Sequence, residues 1–130
     1  MESAVQIDSE ILAKARELSE EFGDEFLLEL IQIYLDDAPK RLAELRQALA
    51  AGDVQRSTGA AHTLKSSSAN IGAMRFSELM RDMEGCGRAG DLTAMTSRLS
   101  EADAQYAAVR TALESIAGLE KVESILPSKP

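Results

Sequence analysis

The chain has 130 residues, with 14 Lys and Arg against 22 Asp and Glu, and a formal net charge of −8. That length allows one compact domain and little more. The negative field repels phosphate backbones and anionic lipid, which argues against nucleic-acid and membrane-surface partners. One cysteine, Cys86, excludes an intramolecular disulfide and a multi-cysteine metal centre. No apolar run approaches the ~20 residues of a spanning helix, and the N-terminal MESAVQIDSE has no secretory-signal pattern, so the expected setting is cytoplasmic.

Apolar residues recur every three or four positions and nowhere alternate long enough for a convincing strand, which predicts an all-α fold. A first short helix starts with Asp8 as N-cap, runs through Ile11, Leu12, Ala15 and Leu18, and ends near Gly23. A second, long helix carries a stripe of Leu27, Ile31, Tyr34, Ala38, Leu42, Leu45 and Leu49, widened by Phe26, Leu30 and Leu35. Asp24 is its expected cap, Gly52 lies beyond its end, and Pro39 is expected to interrupt it with a bend near Asp37 or Ala38.

Asp53 is the expected N-cap of a third helix, with Val54, Ser57, Ala61, Leu64, Ser68 and Ile71 facing inward. Four of those six are Ala, Ser or Val, so a neighbouring helix can come close. Asn70 and Gly72 suit the turn that follows. Met74, Leu79 and Met83, flanked by Phe76 and Met80, mark a fourth helix closed by the glycines of GCGRAGD. Asp91 opens the last, whose inward positions Leu92, Met95, Leu99, Ala102, Tyr106, Val109, Leu113 and Ile116 keep one unbroken seam. Short connections then predict an antiparallel up-down-up-down four-helix bundle with an additional short N-terminal helix. Residues 1–7 form an N-terminal tail, 8–118 the bundle and 119–130 a C-terminal tail. Equally apolar faces on every helix favour intramolecular burial, hence a monomer.

His62 is the only imidazole in the chain. At 100° per residue it points about 130° away from the centre of the inward stripe, toward solvent. Gln55, Thr58, Gly59, Lys65, Ser66 and Ala69 share that outer face, and most are small. A glycine inside a helix costs about 1 kcal/mol relative to alanine, so Gly59 suggests that low bulk beside the ring is useful. Imidazole is largely neutral at cellular pH and keeps one nitrogen free to attack phosphorus. Lys65, three residues on, can place a cation beside anything attached to the ring, with Thr58 and Ser66 hydroxyls as weaker donors. Serine and tyrosine nucleophiles are less attractive, because no second histidine can serve as base and no acidic residue within four positions orients His62.

The segment AHTLKSSSANIGA resembles the histidine phosphotransfer domain family, through His62, Leu64, Lys65, Ser67, Asn70, Gly72 and Ala73, with flanking helices that resemble it over residues 8–117. The resemblance implies a helical bundle in which His62 is the phosphoacceptor, Lys65 its electrostatic partner and Gly72 the turn residue after the active helix. The commonest family pattern has glycine directly after the lysine, where this chain has Ser66. The implied activity is phosphoryl transfer from a receiver-domain phosphoaspartate to His62 and on to another receiver's aspartate. No cofactor is bound by the chain itself, and Mg²⁺ is expected on the receiver. Partners are receiver domains, with a hybrid histidine kinase as a further candidate. The partner surface comprises Gln55, Thr58, Gly59, Ser66 and Ala69, with Lys40 and Arg41 added from the preceding helix.

Two other readings compete. A sensor-kinase phosphoacceptor domain is opposed by the lack of an acidic residue directly after His62 and of any glycine-rich ATP lid, so no ATP-dependent kinase activity is expected. A non-catalytic adaptor binding a receiver domain is the main alternative. Met74, Met80, Met83 and Met95 are core packing, Cys86 a tolerated thiol without a CxxC partner, and the acidic stretch from Glu20 to Glu25 solvated charge.

Overall fold

The computed structural model describes residues 8–118, so the expected tails at 1–7 and 119–130 lie outside the described residues. Six helices follow one another: α1 (Ser9–Phe22), α2 (Asp24–Ala50), α3 (Val54–Asn70), α4 (Met74–Arg88), α5 (Leu92–Thr96) and α6 (Leu99–Gly118). No strand occurs among the described residues. The all-α expectation therefore holds. One continuous core runs between the helices, built from Ile11, Leu27, Ile31, Leu45, Leu64, Phe76, Met80, Met83, Met95, Leu113 and Ile116, each almost fully buried.

Local chemistry sets the helix ends. The Asp8 carboxylate accepts from the amides of Glu10 and Ile11 at 2.8 and 3.3 Å and starts α1. Asp53 accepts from the Arg56 amide at 3.0 Å and starts α3. Asp91 does the same for Ala94, also at 3.0 Å, at α5. The turns after α2, α3 and α4 share one hydrogen-bond pattern. The amides of Asp53, Ala73 and Asp91 each reach back to a carbonyl five residues earlier, at 2.8 Å, past a glycine of positive φ. Asp24 is not the cap it was expected to be. Gly23 occupies that position, and the Asp24 carboxylate instead accepts from the Ser19 hydroxyl, tying α1 to α2.

The long helix runs unbroken through Pro39. Proline removes one ladder bond, but Ala38, Leu42 and Leu45 on either side are buried, and tertiary burial of that face outweighs the local cost. The opposite happens near the C-terminus, where the expected single helix from Asp91 is two. Between α5 and α6 the Arg98 amide bonds the Met95 carbonyl at 3.1 Å. The Ser97 hydroxyl and the Arg98 guanidinium both take the Ala94 carbonyl, at 2.7 and 2.9 Å. These bonds replace the regular ladder while the apolar residues stay in phase, so periodicity alone misses the break. The glycines of GCGRAGD also behave differently from expectation, since α4 passes through Gly85 and Gly87 and ends only before Gly90.

Three residues assigned inward face out. Val54 is 38% exposed in the first turn of α3, Met74 37% at the start of α4, and Phe26 41% beside Phe22, with ring centroids 4.8 Å apart. Helix ends overhang the core, and the periodic stripe no longer reports burial there.

α2 and α3 pack as an antiparallel pair, with the Tyr34 hydroxyl and Ser68 Oγ 2.8 Å apart in the core. Burial pushes the Tyr34 phenol well above its ordinary value, against the lowering effect of that hydrogen bond. α3 and α4 are also antiparallel, since partners ascend one helix as they descend the other: Lys65 with Ser77, His62 with Glu84, Thr58 with Gly87. The residues of α3 that are buried include the small Ser57, Ala60, Ala61 and Ser68. At Gly87 an added Cβ would lie 2.2 Å from Thr58 Oγ1 and 3.3 Å from Met95 Sδ.

Candidate functional site

His62 stands on the outer side of α3, and its side chain is 55% exposed. The close approach of α4 places Glu84 behind it. That carboxylate is 4% exposed and gathers three side chains. His62 Nδ1 lies 2.8 Å from Oε2, Arg88 Nη2 2.5 Å from the same oxygen, and Lys65 Nζ 2.7 Å from Oε1.

Burial alone would push the Glu84 carboxyl up, but the hydrogen bonds from Lys65, Arg88 and His62 outweigh it and hold it down at about 2. Glu84 is thus an anion at neutral pH and can only accept. In the neutral imidazole the proton must then sit on Nδ1, donated to Oε2, and the lone pair falls on Nε2, away from the carboxylate. The carboxylate thus holds the ring in one tautomer and leaves Nε2 unengaged.

The depressed Glu84 carboxyl has a consequence for stability. A group whose proton affinity is lower in the folded state favours folding above its unfolded value and loses that contribution as pH falls through its folded value. Acid titration followed by circular dichroism is therefore expected to show stability declining between about pH 4.5 and about pH 2, and Glu84→Gln to flatten that part of the curve.

A groove of about 430 Å³ opens beside the ring, lined by Val54, Gln55, Thr58, Gly59, His62, Glu84, Gly87 and Arg88. It joins His62 to three of the residues named for the partner surface, Gln55, Thr58 and Gly59. Ser66 is exposed and Ala69 half-buried further along α3, and neither lines the groove. The Thr58 hydroxyl is spent on the Val54 carbonyl at 2.7 Å, so it is not a free donor. Lys40 is exposed, and Arg41 is paired along its own helix with Asp37 and Glu44, at 3.3 and 3.5 Å. A larger cleft of about 940 Å³, between α1, α4 and α6, includes neither His62 nor Glu84.

The expectation that no acidic residue orients His62 is corrected by Glu84, which comes from 22 residues away. Sequence proximity was the wrong measure, because an antiparallel neighbour delivers the partner across the helix pair. A signal did exist. Glu84 falls in register with the buried stripe of Phe76, Met80, Met83 and Gly87, and a charge on a core stripe needs paired partners.

Residues 29–117 match the family model described as Hpt domain. The chain belongs to the Hpt domain family. It is 26% identical over 109 residues to histidine-containing phosphotransfer protein 2 of Arabidopsis thaliana, covering 82% of this chain and 70% of the plant protein. Its fold is similar to the crystal structure of histidine-containing phosphotransfer protein B (HptB) from Pseudomonas aeruginosa PAO1. There the TM-score is 0.75 and the identity 30%, with 87% of this chain and 95% of that one covered. This Hpt domain is a phosphorelay intermediate, a phosphotransfer carrier of a family that works with receiver domains and histidine kinases. No helix among the described residues is long and apolar enough to cross a membrane.

Proposed function

We propose that His62 is the phosphoacceptor of this Hpt domain, taking a phosphoryl group from a receiver-domain phosphoaspartate and delivering it to an aspartate of another receiver. The observation that carries the reading is an imidazole, more than half exposed and lining the open groove, whose Nδ1 is anchored on a buried carboxylate and whose Nε2 is left unengaged by it. In the forward step the Nε2 lone pair attacks phosphorus, the acyl-phosphate P–O bond breaks, and the receiver's aspartate departs as carboxylate. The Nδ1 proton stays on the ring, held by Glu84. The return step reverses each of these changes.

Lys65 and Arg88 put two cations beside one carboxylate at this point of an otherwise acidic molecule. The local excess of positive charge suits an incoming phosphoryl dianion, and screening over about 8 Å keeps the distant acidic surface from cancelling it. Gln55, Thr58 and Gly59 supply the surface on which a receiver sits, with Ser66 and Ala69 extending it along α3. Mg²⁺ belongs to the receiver, the chain acts as a monomeric carrier without autonomous enzymatic activity, and its setting is cytoplasmic. A silent adaptor would not require a histidine locked in one tautomer. Incubation with a receiver phosphorylated on its aspartate is expected to move acid-labile, alkali-stable phosphate onto this chain. Retention of all label on the receiver would overturn the reading.

Gly59 tests the role of open space. An added Cβ there meets nothing within 4 Å, and replacing a helix-interior glycine favours the helix by about 0.5–1 kcal/mol. Gly59→Gln is therefore expected to raise thermal stability while slowing transfer from the receiver roughly tenfold, because its side chain covers the groove a docking domain must enter. Transfer at the wild-type rate would show that the groove is not used.

A further inference from the structure

Anchoring Nδ1 needs only a hydrogen-bond acceptor, and a neutral amide oxygen would serve as well as a carboxylate. This chain uses a carboxylate, and its charge has an effect of its own. Oε1 engages Lys65 and Oε2 engages Arg88, and among the described residues neither cation has another carboxylate within ion-pair distance. Glu84 thus occupies both of the positive charges that share its carboxylate with the ring. It is almost fully buried and cannot exchange them for water.

We propose that Glu84 sets how readily the phosphoryl group leaves His62, by competing with it for Lys65 and Arg88. The inference rests on His62 being the phosphoacceptor. A phosphoryl group on Nε2 is an anion with three acceptor oxygens, and the cations that would stabilise it are already held from the other side of the ring. A second effect acts in the same direction. When Nε2 carries phosphorus and Nδ1 keeps its proton, the ring is cationic, and the adjacent carboxylate favours that form. A cationic ring is the better leaving group, because the N–P bond pair returns to Nε2 and leaves a neutral imidazole. Both effects keep the phosphoryl group transferable and prevent it from becoming a stable modification. Glu84 acts through His62, Lys65 and Arg88, so it is a positioning residue.

The test uses phosphoramidate as a chemical donor, which needs no receiver. The Nε2 lone pair displaces ammonia, the donor's P–N bond breaks and the ring N–P bond forms. Spontaneous decay then follows as water attacks phosphorus, releases a proton to solvent and yields inorganic phosphate. Phosphohistidine on Glu84→Gln, which preserves side-chain shape and an acceptor for Nδ1, is expected to decay roughly tenfold more slowly than on the wild type at neutral pH. Adding Lys65→Met and Arg88→Gln to that variant is expected to remove most of the gain. In denaturing urea the two proteins should decay alike, because the network is gone, and circular dichroism checks that each is folded beforehand. Equal lifetimes in the folded proteins, or a shorter one for Glu84→Gln, would overturn the proposal. A wild type that takes up no phosphate on His62 would instead overturn the assignment of the phosphoacceptor itself.

Discussion

Replacing His62 by glutamine is expected to abolish phosphate uptake from a phosphorylated receiver while leaving the protein folded. The ring is more than half exposed and no core contact depends on it. Its one buried partner is Glu84 Oε2, and a glutamine amide can donate to the same oxygen. Stability should change by less than about 1 kcal/mol, the usual range for an exposed position. Uptake, by contrast, requires a lone pair on a nucleophilic nitrogen, which an amide does not offer. Acid-labile phosphate and the melting curve are the two measurements. Label persisting on the variant would place the phosphoacceptor elsewhere.

The largest expected loss of stability comes from Gly72, the turn residue between α3 and α4. Its φ is +86°, and an added Cβ would fall 2.6 Å from Lys14 Cβ, 2.8 Å from the Glu10 carbonyl oxygen and 3.2 Å from Ile11 Cα. Two of these atoms are backbone, so α1 itself would have to move. Gly72→Ala combines a left-handed conformation, costing about 1–2 kcal/mol, with overpacking worth about 1–3 kcal/mol. A total near 3 kcal/mol should lower the melting temperature by roughly 10 °C. Gly52 is the control, since it has a φ of +68° but nothing within 4 Å of the added atom. Gly52→Ala should therefore cost only the conformational part. Equal losses at the two positions would show that the seating of α1 on the turn contributes nothing. Gly72→Ala should also disturb the His62 environment less than it disturbs α1, because the contacts it breaks are with α1.

The helices themselves were legible wherever a cap and a stripe coincided. Asp8, Asp53 and Asp91 each accept the amides expected of them. The stripe from Leu27 to Leu49 on α2 is buried throughout. The failures fall where local pattern and tertiary packing diverge. Pro39 reads as an interruption, but the helix continues through it, held by its buried face. The run from Leu92 to Ile116 reads as one helix but is divided by side-chain bonds to a single carbonyl. Val54 and Met74 belong to the stripes by spacing and to the surface by position, because the core does not extend to those helix ends.

The site divides along the same line. His62, Lys65, Gly59 and the small flanks lie within one helix, so an angle of 100° per residue was enough to place the imidazole outward with a lysine and small neighbours on the same face. Glu84 and Arg88 come from the next helix, and linear spacing carries no measure of how closely two helices approach. That approach depends on Gly87 on α4, whose missing Cβ leaves room for Thr58 on α3. The amino-acid order alone thus determined the exposure of the single imidazole and the all-helical scaffold, since both follow from periodicity within one element. Only the packed structure decided which nitrogen is free and what holds the nearby cations, because a buried carboxylate acts through distances that exist only after the two helices have met.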